Sequence, residues 1–348
     1  MVAKSGDTIK VYPGYYNESI VLNKQLNLIG IEENGKKPII QAEENKSAVL
    51  ISADGCTLKG FILMSQEILI SDTNSPSCEI CSDYNIIENN TFMYGQSSFR
   101  LNKSSFNIVT NNEIIYGYRE GMETIDSNNN IISYNSARSN KGEGIELNGG
   151  SNNIISYNDV TKNCDGIQIW YSDNNIISFN QVYNNDQYGI TSDTCSNLSI
   201  LNNSIHDHTY GGLLLTDCSY CTISGNEIYS NQGGVMLDGT LGANYEGSTN
   251  NVVINNSIYS NGVGIYLEFH CENNYIKYNN FIDNNKNAYF WFYEKVFYNL
   301  WDKNYWSDWN LPAPKPIRGS FDIVIFRFLI RIPWFMFDMH PATEPYEQ

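Results

Sequence analysis

The amino-acid sequence predicts an all-β protein that folds as a parallel β-helix, a solenoid with about 22–23 residues per coil. The first observation is an asparagine motif of the type Asn-Ile-Ile-Ser-Tyr-Asn, whose last asparagine recurs at gaps of 22, 23, 23, 22, 23, 23, 30 and 23 residues. These asparagines are Asn90, Asn112, Asn135, Asn158, Asn180, Asn203, Asn226, Asn256 and Asn279. So regular a period indicates stacked coils, because each unit must contact its neighbour in the same way.

The second observation is a glycine motif, in which glycine is followed by alternating apolar residues, as in Gly144–Leu147 (GIEL) and Gly166–Ile169 (GIQI). Both motifs are short and alternate with a period of two residues, which indicates strands. A unit of this length cannot hold a helix beside two strands. The coil is therefore expected to be right-handed, as parallel β connections usually are, with its aliphatic side chains pointing inward.

Each motif also has an expected conformational role. Asparagine tolerates the left-handed backbone conformation that sharp corners need, and its amide can hydrogen-bond to the amides of the coils on either side. The glycine of the second motif is expected to mark another left-handed corner. The 30-residue gap contains an extra loop, Gly239–Asn250, of the kind that leaves a solenoid on its binding face.

The two ends of the chain differ from the repeats, as the exposed ends of a stack require. We expect irregular coils in residues 1–71, regular coils in 72–287, and an aromatic C-terminal cap and tail in 288–348. The last segment contains five of the six tryptophans: Trp291, Trp301, Trp306, Trp309 and Trp334. A single strand, Phe321–Ile332, is expected to follow the cap.

Composition excludes several kinds of partner. The formal net charge of the 348 residues is -17, so a nucleic acid is not expected, and an anionic membrane surface is disfavoured. The most apolar stretch, Phe321–Phe337, is too short and too charged to be a transmembrane segment. Eight cysteines form no disulfide-scaffold pattern, and Cys195 and Cys218 lie 23 residues apart, at the same point of successive coils.

The N-terminal region carries a family resemblance. The segments Gly6–Ser19, Leu26–Gly30 and Ala53–Phe61 resemble the start of the pectin-lyase-like right-handed β-helix superfamily. With the two repeated motifs, the chain looks most like NosD-type and related surface β-helix proteins, many of them archaeal. The resemblance implies carbohydrate-binding proteins, sugar hydrolases, lyases and epimerases, and a periplasmic factor for copper-enzyme maturation, so the fold does not decide the function.

The same resemblance bears on location. Relatives usually carry a capping helix, and often a signal peptide, before the segment that starts here at Gly6. We therefore expect the natural protein to be longer, to carry an export signal and to reach the cell surface or the exterior.

Stacked coils also allow outward side chains to be aligned from the sequence. One patch stands out, and it consists of Arg100, Glu123, Glu143, Glu146, Asp165, Gln168, Trp170, Tyr171 and Asp193. Carboxylates one coil apart would lie roughly 5 Å from each other, a spacing that suits a retaining glycosidase and also a calcium ion. The catalytic candidates are Glu123, Glu146 and Asp165, and the other six are candidate ligand-binding residues. A merely solvated acidic face is the alternative.

His206 and His208 are the only closely spaced histidines. The NosD-type resemblance suggests copper, but two histidines make an incomplete site, and an exposed polar turn is the simpler interpretation. The favoured function is a non-enzymatic extracytoplasmic surface protein that binds a polysaccharide or cell-surface glycan along one sheet face. The alternatives are a polysaccharide lyase, glycoside hydrolase or epimerase, and a NosD-type maturation factor.

Overall fold

A computed structural model describes residues 3–65, 75–240 and 247–347. The chain is a right-handed, all-β parallel solenoid of about 12 turns, as the repeats predict. The described part of the chain has no helix with the length and apolarity to cross a membrane. Two compact units are distinguished, Met1–Ile176 and Ile177–Gln348.

The strands of the first unit are short, mostly three or four residues. They are β1 (Thr8–Val11), β2 (Tyr15–Asn17), β3 (Ile20–Leu22), β4 (Asn27–Gly30), β5 (Ile39–Gln41), β6 (Val49–Ile51), β7 (Thr57–Lys59), β8 (Ile62–Met64), β9 (Cys78–Ile80), β10 (Ile86–Glu88), β11 (Thr91–Met93), β12 (Phe99–Asn102), β13 (Ile108–Thr110), β14 (Glu113–Ile115), β15 (Met122–Ile125), β16 (Ile131–Ser133), β17 (Ser136–Arg138), β18 (Ile145–Asn148), β19 (Ile154–Ser156), β20 (Asp159–Thr161) and β21 (Ile167–Trp170).

The remaining strands are β22 (Ile176–Ser178), β23 (Gln181–Tyr183), β24 (Tyr188–Asp193), β25 (Ser199–Leu201), β26 (Ser204–His206), β27 (Gly211–Thr216), β28 (Thr222–Ser224), β29 (Glu227–Tyr229), β30 (Gly233–Asp238), β31 (Val252–Ile254), β32 (Ser257–Tyr259), β33 (Val263–Glu268), β34 (Tyr275–Lys277), β35 (Asn280–Ile282), β36 (Lys286–Tyr293), β37 (Leu300–Asp302), β38 (Tyr305–Trp306), β39 (Lys315–Ile325) and β40 (Phe328–Asp338).

Each regular coil contributes three strands: one from the glycine motif, one from the asparagine motif, and one directly after the motif asparagine. In the first unit, β15 pairs in parallel with β18, β16 with β19 and β17 with β20. Inward residues such as Ile145, Ile155 and Val160 are fully buried. The core is therefore a set of aliphatic columns between three parallel strand ladders.

The motif asparagines are buried and form hydrogen-bonded ladders, as expected. The Asn135 Oδ1 atom accepts hydrogen bonds from the Asn112 backbone N–H (3.0 Å) and side-chain amide (3.0 Å). The Asn135 side-chain amide donates to the Val109 carbonyl (2.9 Å) and to Asn158 Oδ1 (3.1 Å). Each asparagine thus satisfies backbone groups at a corner that no strand pairing reaches.

The left-handed conformation falls one residue earlier than expected. All nine motif asparagines are preceded by a residue with positive φ, for example Tyr134 (56°) and Asn202 (53°), whereas the asparagines themselves do not have positive φ. The expectation for the glycine motif is also wrong, because Gly144 does not have positive φ. A Cβ atom there would lie 2.4 Å from Val160 Cγ1 and 2.8 Å from the Gly166 carbonyl oxygen, so close packing requires the glycine.

Cys195 and Cys218 occupy a position that serine fills in the first unit. The side chains of Ser127, Ser172, Cys195 and Cys218 donate to the carbonyl two residues earlier, at 2.7, 2.6, 3.1 and 3.2 Å. Both cysteines are buried. Their thiols therefore replace serine hydroxyls as small buried donors.

The C-terminal aromatic cluster is present. Trp301 and Trp306 are each 1% exposed, and the Trp306 ring stacks on Phe281 with centroids 4.4 Å apart. Asp338 closes the end of an asparagine ladder, because its Oδ2 atom accepts from Asn304 (2.9 Å) and from Trp306 Nε1 (3.0 Å).

The expected single strand after the cap is wrong. The chain forms the long antiparallel strands β39 and β40, joined at Phe326 and Arg327. We call this pair the terminal hairpin. The predicted boundary at residue 71 lies outside the described residues, and so do residues 241–246 of the extra loop. The boundary at residue 287 stays a prediction.

Candidate functional site

The outward side chains of four successive coils form a row on one sheet of the first unit. The register of β12, β15, β18 and β21 places Arg100 opposite Glu123, Glu123 opposite Glu146, and Glu146 opposite Gln168. Parallel neighbours are about 4.8 Å apart, so these side chains are forced into contact distance.

Glu123 is held by two donors. Its Oε2 atom accepts a hydrogen bond from Arg100 Nε at 2.7 Å and another from Ser97 Oγ at 2.6 Å. The side chains of Arg100 and Glu123 are only 13% and 14% exposed. Such a charge-assisted pair fixes the orientation of the Glu123 carboxylate.

Glu146 differs in its protonation. It is 6% exposed, and burial raises the pKa of its carboxyl to about 8, with the charges of Glu120, Glu123 and Glu143 adding to the effect. At neutral pH the carboxyl group is therefore mostly protonated and can donate a proton.

Glu120 is a member of the site that the sequence reasoning missed. It is 4% exposed, burial raises its carboxyl pKa, and Arg119 Nε lies 3.3 Å from its Oε1 atom. The signal was present, since Glu120 precedes Gly121 just as Glu143 precedes Gly144. Backbone hydrogen bonds confirm that these positions are aligned on successive coils.

Glu120, Glu123 and Glu146 form what we call the glutamate cluster. Carboxylate oxygens of the three residues lie within 4.8 Å of one another. Carboxylate oxygens are the ligands that calcium prefers, so these residues are the ones that could hold such a cation. Protonation of Glu146 is the other way to relieve the repulsion between the three groups.

The remaining candidates of the first unit surround this cluster. Asp165 is 7% exposed, and its carbonyl accepts from the Gly144 N–H at 2.9 Å, so it lies one coil beyond Glu143 in the row that also contains Glu120. Gln168 ends the row of Glu123 and Glu146.

Trp170 and Tyr171 form an exposed aromatic edge. Trp170 pairs with Asn148 and is 39% exposed, while Tyr171 is 67% exposed. Trp170 points to the same side of the sheet as Gln168, because alternate residues of a strand share a face. Strand geometry places its Cα atom roughly 8 Å from that of Glu146.

Asp193 belongs to the second unit. It ends β24 opposite Thr216, and its Oδ1 atom accepts a hydrogen bond from Thr194 Oγ1 at 2.7 Å. The cluster described above is formed entirely within the first unit.

The two histidines have separate roles. The His206 ring is stacked between Tyr183 and Tyr229, with centroids 5.4 and 4.5 Å away, and Nδ1 lies 2.7 Å from the Asp207 carboxylate. His208 is 3% exposed; its Nδ1 accepts from the Asn185 N–H (3.2 Å) and its Nε2 contacts the Val182 carbonyl (3.1 Å). Because both His208 nitrogens are engaged by backbone, the pair does not converge on a metal ligand set.

Two family models match the sequence. The model described as "Periplasmic copper-binding protein (NosD)" matches residues 151–311, and the model described as "Right handed beta helix region" matches residues 39–182. A search of the curated proteins found no significant match.

Solved structures resemble the fold at low sequence identity. The A-module of a mannuronan C-5 epimerase from Azotobacter vinelandii is 13% identical, with a TM-score of 0.71 over 85% of this chain and 89% of that chain. The Dettilon tailspike protein is 14% identical, with a TM-score of 0.68 over 81% of this chain and 61% of that chain. The catalytic domain of a GH87 alpha-1,3-glucanase in complex with tetrasaccharides is 15% identical, with a TM-score of 0.58 over 85% of this chain and 60% of that chain.

At these identities the likeness shows the shared fold, and the chain spans about three fifths of the tailspike and glucanase chains. The coil period, the parallel strand register and the two family matches agree over most of the sequence. The chain is a right-handed parallel β-helix repeat protein, and its residues 39–182 and 151–311 are similar to the right-handed β-helix and NosD families.

Proposed function

We propose that this protein binds a polysaccharide outside the cytoplasm, on the outward face of β12, β15, β18 and β21. The observation that carries the proposal is the exposed pair Trp170 and Tyr171 on the sheet that also presents Arg100, Glu123 and Gln168. Aromatic faces stack on the apolar side of sugar rings, and fixed polar groups bind sugar hydroxyls. An open sheet face also accommodates a chain longer than one sugar.

The comparisons support the proposal at the level of the scaffold. The names of similar structures include an epimerase of mannuronan and a glucanase in complex with tetrasaccharides, so this fold elsewhere acts on polysaccharides. The matching NosD family is described as periplasmic, which supports a location outside the cytoplasm. Placement at the cell surface is our extension of that description.

The charge of the face favours a neutral or amino-sugar chain. Five acidic residues, Glu120, Glu123, Glu143, Glu146 and Asp165, lie on this strip. They outnumber the basic residues, and a polyuronate would be repelled wherever these groups are ionised. Protonated Glu146 removes only one of the charges.

A glycoside hydrolase is the second candidate, favoured by the different environments of Glu146 and Glu123. Burial raises the Glu146 pKa to about 8, which suits a general acid, while Arg100 and Ser97 donate to the Glu123 carboxylate. Carboxyl groups about 5 Å apart are typical of retaining enzymes. Glu146 would protonate the glycosidic oxygen as Glu123 attacks the anomeric carbon, and water would then release the sugar from Glu123. A lyase or an epimerase needs a base instead, and protonated Glu146 fits that role less well.

A copper-maturation role has less support. The name of the NosD family suggests copper, but His206 stacks between tyrosines and both ring nitrogens of His208 contact backbone groups. No copper ligand set is therefore proposed.

Binding is tested with a panel of neutral, amino-sugar and uronate polysaccharides by isothermal titration calorimetry. Trp170→Ala and Tyr171→Ala should each weaken binding about tenfold, since each removes a stacking face. Tyr220→Ala is the matched control, because Tyr220 is 63% exposed and has positive φ like Tyr171. Equal loss in Tyr220→Ala, or no binding to any polymer, would refute the proposed site.

Catalysis is tested on the polymers that bind, by the release of reducing ends and of unsaturated products. Glu146→Gln should abolish hydrolysis while leaving binding within about twofold, because glutamine keeps the shape but supplies no acidic proton. If the wild-type protein binds a polymer but releases neither product from it, the glycoside hydrolase candidate is refuted and only the non-enzymatic binding function remains.

A further inference from the structure

The terminal hairpin presents a surface that differs from the outward face of β12, β15, β18 and β21. Strands β39 and β40 are paired over eleven residues, ending at Ile325 opposite Phe328. The connecting residues Phe326 and Arg327 both have positive φ, 47° and 70°, as in a tight type I′ turn. The tip of the hairpin is therefore a regular, hydrogen-bonded ribbon.

This tip is apolar on both of its faces. Val324, Ile325, Phe326, Phe328, Leu329 and Ile330 are 52%, 42%, 92%, 73%, 61% and 42% exposed. Cross-strand partners share a face, so Ile325 and Phe328 lie on one side and Val324 and Leu329 on the other. A protein partner docks on one face of such a ribbon, whereas a lipid phase covers both.

The outer edge of β40 opposes pairing with another strand. Beyond Asp338, which faces Trp301, the only strand described next to β40 is β39. Pro333 lies in the middle of this edge and has no N–H to donate, which is a common protection against edge-to-edge association. Addition of a strand from a second copy is therefore disfavoured.

The local charge differs from that of the whole chain. The hairpin carries Lys315, Arg318, Arg327 and Arg331 but only two acidic residues, whereas the net charge of the protein is -17. Asp338 is buried, and Asp322 is paired with Arg331 at 2.8 Å. Arg318 and Arg327 are exposed. Charges more than about 10 Å away are largely screened, so an approaching surface senses the basic hairpin.

We propose that the tip of the terminal hairpin inserts into the interface of an anionic lipid bilayer. The apolar part of each strand covers three residues, Ile323–Ile325 and Phe328–Ile330, and is roughly 10 Å long. That length matches the depth of about 5–10 Å to which interfacial segments are buried. Arg331 directly follows this apolar part and lies at headgroup level, Arg318 lies five residues behind Ile323, and the long Arg327 side chain reaches back towards the phosphates.

The test is vesicle co-sedimentation of the full chain. Wild type should bind vesicles of phosphatidylglycerol and phosphatidylcholine, and bind pure phosphatidylcholine vesicles more weakly. The triple variant Phe326→Ser/Phe328→Ser/Leu329→Ser should bind at least about tenfold more weakly, since each change removes an inserting side chain. The control Tyr84→Ser/Tyr220→Ser/Tyr298→Ser removes three aromatics that are 60%, 63% and 69% exposed elsewhere, and should bind like wild type.

A second measurement needs no variant. Anionic vesicles should slow trypsin cleavage after Arg327 while cleavage after exposed Lys162 proceeds at its usual rate. Absence of vesicle binding by folded wild type, or equal loss in the control variant, overturns the proposal. A third result would also overturn the proposal: wild type is a dimer in sedimentation velocity, the tip variant is a monomer, and neither binds vesicles. The hairpin would then be an interface between two copies of the chain.

Discussion

The two units carry different chemistry at the same position of the repeat. In the first unit the middle outward residue of the glycine motif is charged or polar; in the second unit it is mainly apolar. The first row is Arg100, Glu123, Glu146 and Gln168, and the second row is Thr191, Leu214, Met236 and Tyr266. The inward residues on either side of each position are apolar in both units, apart from Thr124 in the first and Ser192 in the second.

The difference teaches that stacking constrains the inward and corner positions and leaves the outward ones open. Where acidic residues occupy an outward row, burial raises the pKa of Glu146 to about 8, and the neighbouring carboxyl groups that the spacing of the coils forces together add to this effect. The second unit places its carboxyl groups two residues later, at Asp238 and Glu268, whose pKa values burial raises to about 6 and about 7.

The largest effect is expected at inward positions of both units. Ile145→Asp and Leu213→Asp should both prevent folding, because an unpaired buried charge costs more than about 3–5 kcal/mol. Ile145 and Leu213 are fully buried and follow the motif glycine. Leu214→Asp, one residue further along β27 and outward, should fold normally by circular dichroism. A soluble, folded Leu213→Asp protein would contradict the assignment of inward positions.

The asparagine ladders should matter equally in the two units. Asn135→Ala and Asn226→Ala should each reduce the free energy of unfolding by about 3–5 kcal/mol, because several buried backbone groups lose their partners. Urea denaturation measures this loss. Asn285→Ala is the control: this exposed asparagine should cost less than about 0.5 kcal/mol. A large difference between the two ladder variants would show that the units do not share one corner design.

The charged row of the first unit should make a large contribution to the pH dependence of stability. The pKa of Glu146 is about 8 in the folded protein and near 4.5 when unfolded, so the folded state binds more protons between these values. Stability should therefore fall by roughly 2–4 kcal/mol as pH rises from 5 to 9. Glu146→Gln should reduce this slope without removing the contributions of Asp238 and Glu268, while Met236→Gln in the second unit should leave the profile unchanged. Denaturant midpoints measured from pH 5 to pH 9 give the pH dependence of stability. An unaltered dependence in Glu146→Gln would falsify the raised pKa assigned to Glu146 in the glutamate cluster.

The smallest effect concerns a local exception within the second unit. His208 replaces an asparagine in a ladder, since its backbone N–H donates a hydrogen bond to Asn231 Oδ1 at 3.0 Å. Burial lowers the pKa of the His208 imidazole from 6.5 to about 4. Between these pH values the unfolded chain binds a proton that the folded protein does not, so the free energy of unfolding decreases as pH falls from 6.5 to 4. The loss should reach about 2–3 kcal/mol near pH 4. His208→Asn should abolish it, as measured by thermal unfolding at pH 7 and pH 4.5.

Position in the repeat predicts more of the site than residue type does. Glu123, Glu146 and Gln168 could be aligned from the sequence because one coil of 22 or 23 residues returns the chain to the same place. The same rule identifies Glu120, which precedes Gly121 as Glu143 precedes Gly144. By contrast, the NosD-type resemblance suggested copper at His206 and His208, but both ring nitrogens of His208 contact backbone groups.

The terminal hairpin lies beyond this rule, because it is outside the repeat. Its turn at Phe326 and Arg327 lacks the Asn-Gly or Asp-Gly signature of a two-residue turn, and the pairing of eleven residues on each side imposes the conformation instead. The mostly apolar segment Phe321–Ile332 was therefore predicted to be one strand.

The sequence by itself determined the coil length, the parallel stacking and the direction of side chains within the repeat, since each follows from a period that is local and repeated many times. Only the tertiary structure decided which outward groups share a low-dielectric environment. Glu120, Glu123 and Glu146 meet within 4.8 Å, and His208 is buried among backbone groups, because burial depends on neighbouring coils that no single motif contains.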